Sequence, residues 1–205
     1  MERIKIGIVI AALAALGGCG SLQPVQREQP NSYVLDAQFQ PSAAPLQGAF
    51  TLAVARPRES AGFDSARMVY LKRPHELEYF AYNQWVDTPG KMLAPLLLRA
   101  LEASGAFRAV AQTPSQVAGQ LRLETDIVRL QQEFLSSPSK VRFTLRAQLI
   151  DVPGRQVVAT REFDVLEDAM SEDPYGGVMA ANRAVQRLLA DVASFCALHG
   201  QALKP

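Results

Sequence analysis

Two histidines, two cysteines and two adjacent acidic pairs are the side chains of this 205-residue chain best suited to chemistry. A hydrolase would need a nucleophile, a base and a group that orients the base. His75 lies in the string RPHE, where proline and glutamate suit a turn, and His199 lies at the end of a C-terminal helical pattern. No Gly-x-Ser-x-Gly elbow supplies either with a nucleophile. Cys196 sits beside Phe195 on an apolar helical stripe, which reads as a packed and inert thiol. No cluster of cysteine and histidine has metal-ligand spacing, and the pairs Glu167-Asp168 and Glu172-Asp173 fall near turns, where carboxylates cap or solvate. Gly176-Gly177 could open a phosphate cradle, but Glu172 and Asp173 would repel the phosphate and no Walker lysine follows. These residues predict neither a catalytic set, nor a metal site, nor a bound cofactor.

Cys19 has a different chemistry. The string MERIKIGIVIAALAALGGCGS starts with Arg3 and Lys5, continues as an apolar run from Ile6 to Leu16, and ends in small residues. The run is well short of the roughly 20 residues a lasting membrane span needs, and has the form of a secretory signal peptide. Leu16-Gly17-Gly18-Cys19 resembles the bacterial lipobox, in which the cysteine thiol receives a diacylglyceryl group and becomes the N-terminus after cleavage. The expected organisation is a signal peptide over 1–18, a lipidated N-terminus and tether over 19–31, and a periplasmic domain over 32–205. Gly20 in place of aspartate after the cysteine favours the outer membrane by the same resemblance. The only group attached to the protein would be the covalent lipid on Cys19.

Of 21 basic and 20 acidic side chains, loss of Arg3, Lys5 and Glu2 leaves 19 of each in the mature chain. That balance gives no electrostatic footprint for nucleic acid and no polybasic second anchor. About half the residues are apolar, enough for one domain with a real core. With Cys19 modified, Cys196 has no partner for an intrachain disulfide.

The elements must then be placed. GSLQPVQREQPN, with two prolines and no hydrophobic period, reads as the tether. Strands are expected at Ser32–Asp36 and in FTLAVARP, the latter buried on both faces. RMVYLKR and LEYFAYNQW predict a hairpin turning at Arg73-Pro74-His75-Glu76. Thr88-Pro89 starts a helix with Met92, Leu93, Leu96, Leu97 and Leu101 inward and Gly105 beyond its end. Pro95 predicts a kink or a second start. FRAVAQ is a short strand, followed by two long alternating strands. Leu121, Leu123, Thr125 and Ile127 line one face of the first; Val141, Phe143, Leu145, Ala147 and Leu149 line one face of the second. Arg122, Glu124, Asp126, Arg142 and Arg146 share the wetter face, where cross-strand ion pairs are expected. Asp151-Val152-Pro153-Gly154-Arg155 predicts a type II turn, and a strand follows over about Val157 to Val165. Asp173 caps a last helix with Pro174 at N1; Val178, Val185, Leu188, Leu189, Val192 and Phe195 are inward, with Gly177, Ala181 and Ala184 allowing close approach. The sum is a single α+β domain: an antiparallel-rich sheet with two helices packed against it.

The order of these features carries a resemblance. The lipobox, the tether, Tyr33-x-Leu35, LAVARP, RMVYLKRPHELEYFAYNQWVDTPGKML, LEASGAFRAV and AANRAVQRLLADVASF are together similar to the ABC-type transport auxiliary lipoproteins, the PqiC-like proteins of Gram-negative bacteria. The resemblance implies a non-catalytic outer-membrane lipoprotein facing the periplasm. Its partners would be an ABC permease, its ATPase and a periplasmic MCE-domain protein, which move phospholipids or other hydrophobic molecules between membranes. A second reading is a periplasmic interaction module that regulates an envelope or peptidoglycan enzyme. Tyr70, His75, Tyr79, Tyr82 and Trp85 are the candidate partner contacts, because aromatics with a polar tip suit interfaces. Self-association into a homo-oligomer is left open.

Overall fold

The alternation of Leu121, Leu123, Thr125 and Ile127 with charged residues becomes the central strand of a nine-stranded sheet in a computed structural model, which describes residues 29–41 and 48–202. Cys19, the signal peptide and most of the tether lie outside the described residues. In chain order the elements are β1 (Asn31–Tyr33), β2 (Thr51–Val54), β3 (Arg58–Glu59), β4 (Arg67–Leu71), β5 (Glu78–Trp85), α1 (Pro89–Ala103), β6 (Ala109–Gln112), β7 (Leu121–Glu133), β8 (Lys140–Asp151), β9 (Gln156–Asp168) and α2 (Pro174–Gln201).

One edge of β7 pairs antiparallel with β8, which pairs antiparallel with β9. The other edge of β7 is shared by three parallel strands placed end to end: β2 at Leu121–Leu123, β3 at Asp126–Ile127 and β4 at Gln131–Glu133. From β2 the sheet continues to β6, and from β4 through β5 to β1. The long antiparallel ladders bear out the α+β expectation; the parallel pairs and β3 were not legible in the sequence.

Every inward residue expected on β7 and β8 is buried. An irregularity between Ile127 and Arg129 inserts one extra residue, Val128, into β7. It reverses the alternation, so that Leu130 and Gln132 rejoin the face lined by Ile127. On the opposite face Arg122 and Glu124 of the expected set pair at 3.3 Å along β7, and other ion pairs reach partners on β3 and β9 that the sequence pattern did not identify. Arg58 of β3 reaches Asp126 at 2.7 Å and Glu124 at 3.7 Å, and Arg142 reaches Asp164 of β9 at 3.1 Å.

Both helices bury their apolar faces in one core with the sheet. Asp173 caps α2 by accepting from the Gly176 amide at 2.7 Å, as the sequence predicts. A Cβ on Gly177 would overlap Oε1 of Gln132, so the glycine lets the helix approach the sheet without displacing that buried carboxamide. Helix α1 starts differently. Thr88 makes no side-chain cap, and Glu59 of β3 instead accepts from its hydroxyl at 2.7 Å and from the Gly90 amide at 2.9 Å.

Three local expectations need correction. The second start expected at Pro95 does not occur: the hydrogen-bonded helix α1 is continuous through Pro95, which is exposed. An interior proline costs about 3 kcal/mol, and burial of Leu93, Leu96, Leu97 and Leu101, at roughly 1.5–3 kcal/mol each, exceeds it. The β8–β9 turn is not type II, because Arg155, not Gly154, adopts positive φ (52°). Strand β1 ends at Tyr33 rather than Asp36, because the chain turns to cross α2. There the Asp36 amide donates to Asn182 Oδ1, and the carboxamide of Gln186 meets both main-chain groups of Gln38.

Candidate functional site

The aromatic hairpin forms as its sequence demands. Pro74 and His75 occupy the turn centre, and the Glu76 amide donates to the Arg73 carbonyl at 3.3 Å. His75 carries φ of 68° and is exposed. That left-handed conformation is uncommon for a side-chain-bearing residue, although histidine tolerates it better than most.

The five candidate contacts divide by environment. Tyr70 is half-buried and donates to Glu78 Oε2 across the hairpin at 2.7 Å. The bond to that carboxylate, reinforced by burial, raises the phenol above its ordinary pKa. The Tyr70 ring packs at 4.4 Å from Phe80 and 5.9 Å from Phe134. Tyr79 is also half-buried: its hydroxyl donates to the Gly62 carbonyl, and the Arg67 guanidinium lies 3.6 Å over its ring. Gly62, at φ of 89°, lets the 60–66 loop fold back over this face. Trp85 is 4% exposed and belongs to the core, so it is not a contact residue in this structure. Tyr82, 60% exposed, is the one tyrosine of the set that presents its ring to solvent. Outside β1, which pairs with Asn83–Trp85, no strand among the described residues pairs with the outer edge of 78–82.

The chemistry-bearing residues stay apart. Cys196 is fully buried, and burial pushes its thiol up to about 12. His199 packs edge-on against Phe195 at 4.8 Å. Bonds from the Ser139 hydroxyl first, then from the Ser139 amide at 2.9 Å and the Ser137 hydroxyl, hold the Glu172 carboxyl below the usual range. Among the described residues no three His, Cys, Asp or Glu side chains gather as a metal site would need. A groove of about 880 Å³ runs between residues 36–40, the end of α1 and the middle of α2. Its walls are alanines and serines with Asn182 and Gln186, the two amides that hold the crossing segment in place.

The sequence pattern missed one feature, a set of exposed apolar side chains on loops and at the start of α2. Leu77, Leu135, Met170 and Tyr175 are all exposed. Lone apolar residues in turns have no period, so nothing in a hydrophobic pattern marks them.

The comparisons with known proteins agree with this architecture. A family model described as the ABC-type transport auxiliary lipoprotein component matches residues 33–193. A Xanthomonas campestris protein assigned to the DUF330 family has a crystal structure that superposes with a TM-score of 0.76 at 25% identity, over 84% of this chain and 98% of that one. A hypothetical protein of Chlamydia trachomatis shares the fold at a TM-score of 0.51 and 8% identity, over 75% of this chain and 98% of that one. No curated protein matches the sequence. Because the family model spans most of the domain, from β1 into the last turns of α2, the chain belongs to the ABC-type transport auxiliary lipoprotein components.

Proposed function

We propose that this protein is a non-catalytic outer-membrane lipoprotein that docks the periplasmic MCE-domain protein of an ABC lipid transport system. The observation that carries the reading is the family match over residues 33–193. Acylated Cys19 would hold the domain at the inner leaflet of the outer membrane. Among the described residues no helix is long and apolar enough to cross a bilayer. The motor would be the partner ATPase, and this chain would supply a fixed point of attachment.

The edge of β5 supports a docking role. Tyr82 combines a large exposed ring with a polar tip, on a strand whose outer edge at 78–82, away from β4, has no strand partner among the described residues. Exposed His75 lies at the tip of the same hairpin. Tyr70 and Tyr79 would shape that surface from behind, through their bonds to Glu78 and Gly62.

The test is photocrosslinking in cells from a benzoyl-phenylalanine placed at Tyr82, with Val152 as the control position. Capture of the MCE protein from position 82 and not from 152 is the expected result. Capture of a cell-wall synthase alone would sink the transport reading in favour of an envelope-enzyme regulator.

A further inference from the structure

Strand direction fixes where the anchor segment enters the domain. Strand β1 runs parallel to β5 with Asn31 beside Asn83, so the chain before Asn31 points toward the end at which β5 begins. That end holds the β4–β5 turn. Because β4 is parallel to β7, with Leu71 beside Glu133, it also holds the β7–β8 loop. Because Lys140 pairs with Asp168, the β9–α2 loop and the first turn of α2 lie there too. One end of the molecule therefore gathers three loops and the incoming chain.

Those loops carry Leu77, Leu135 and Met170, and Tyr175 follows on α2; Met170 is 82% exposed. Their backbones are tied together. The Phe134 amide donates to the Leu71 carbonyl, and the Ala169 amide to the Ser139 carbonyl. The Ser139 amide donates to Glu172, and the Gly176 amide to Asp173. The apolar tips are thus presented by a hydrogen-bonded frame. Single exposed apolar residues are ordinary on a protein surface. At the opposite end the loops and strand ends expose the shorter valines Val86, Val117, Val152 and Val157; the longer side chains Leu77, Leu135, Met170 and Tyr175 gather on the framed end from which β1 starts.

We infer that this end of the domain rests on the membrane, with Leu135 and Met170 entering the lipid headgroup region and Leu77 and Tyr175 flanking them. The inference rests on the proposed acylation of Cys19. From Cys19 to Asn31 the chain advances twelve residues, which span about 40 Å at most when extended. The domain is therefore confined near the bilayer, where a modest apolar contact is enough to orient it. The end carries both signs of charge: Lys72, Arg73 and Lys140 against Glu76, Asp168, Glu172 and Asp173. The contact is accordingly apolar, and salt leaves it unchanged. It also sets the β5 edge, with Tyr82, beside the membrane and not against it.

The test uses full-length acylated protein in phosphatidylethanolamine/phosphatidylglycerol vesicles containing a headgroup nitroxide lipid. Single cysteines replace Leu135, Met170 or Leu77, and Val152→Cys reports on the opposite end, where β8 turns into β9. Buried Cys196, with its raised thiol pKa, does not compete for a thiol-directed fluorophore. Labels at 135 and 170 should be quenched at least about threefold more than the label at 152, with position 77 following them, as interfacial insertion requires. Equal quenching at both ends in protein that floats with vesicles and carries diacylglyceryl-Cys19 by mass overturns the inference alone. Protein that neither floats nor carries the lipid overturns the anchor reading, and the inference falls with it.

Discussion

A Cβ placed on Gly177 would overlap Oε1 of Gln132, so helix α2 meets strand β7 where any larger residue must displace a buried carboxamide. Gln132 reaches this position because Val128 is inserted into β7 and reverses the alternation behind Ile127. Gly177→Ala should therefore destabilise the domain by about 1–3 kcal/mol despite alanine's better helix propensity, because overpacking here displaces a buried amide. Thermal unfolding should show a fall of about 2–4 °C per kcal/mol for a domain of this size. An unchanged or raised Tm would mean that Gln132 moves aside freely.

The cap of α2 gives a pH dependence. Hydrogen bonds from the Gly176 amide first, and from the Ser171 hydroxyl next, hold the Asp173 carboxyl below its usual range. A carboxylate whose folded pKa is depressed stabilises the fold above its unfolded pKa and loses that contribution as pH falls through the folded one. Asp173→Ala should cost about 1 kcal/mol near neutral pH. Denaturant titrations of both proteins should converge as pH falls below the ordinary aspartate range. A gap that persists in strong acid would mean that the charge is not the source of the cap.

The buried and the exposed extremes of the hairpin aromatics should behave oppositely. Trp85→Ala removes a ring at 4% exposure and should cost about 3–5 kcal/mol. Tyr82→Ala, at 60% exposure, should leave stability within about 0.5 kcal/mol while weakening capture of the MCE protein from envelope extracts. Loss of fold in Tyr82→Ala would return that ring to a structural role.

Arg155 adopts a left-handed backbone at φ 52° next to a glycine that does not. Arg155→Gly removes that conformational cost and should stabilise the domain by up to about 1 kcal/mol, net of glycine's greater chain entropy. Chemical denaturation measures it directly; a destabilised variant would show that the arginine side chain contributes more than its backbone costs.

Periodicity was sufficient for much of this fold. Alternation along β7 and β8 and the apolar stripes of both helices are set by short-range rules, because a residue's face follows from its position within its own element. Turn chemistry was legible at Pro74-His75 and at the Asp173-Pro174 cap for the same local reason. The two-residue strand β3 was not, since Arg58 and Glu59 have no pattern of their own and are strand only because β7 offers an edge between β2 and β4. Glu59 as the cap of α1, Arg58 as the partner of Asp126 and Gln186 as the clamp on Gln38 are likewise contacts between distant parts of the chain.

The sequence alone determined the class of domain, the expectation of a lipid at Cys19 and the kinship with transport auxiliary lipoproteins, since these depend on local signals in a fixed order. Only the tertiary structure decided which aromatics face outward. Trp85 and Tyr82 lie three residues apart on one strand, yet one is sealed beneath α2 and the other stands free, because a bulged hairpin register and the short reach of β1 cover only the end of β5. The gathering of Leu77, Leu135 and Met170 at the end from which β1 starts was decided there too. It follows from strand direction, which no residue encodes by itself.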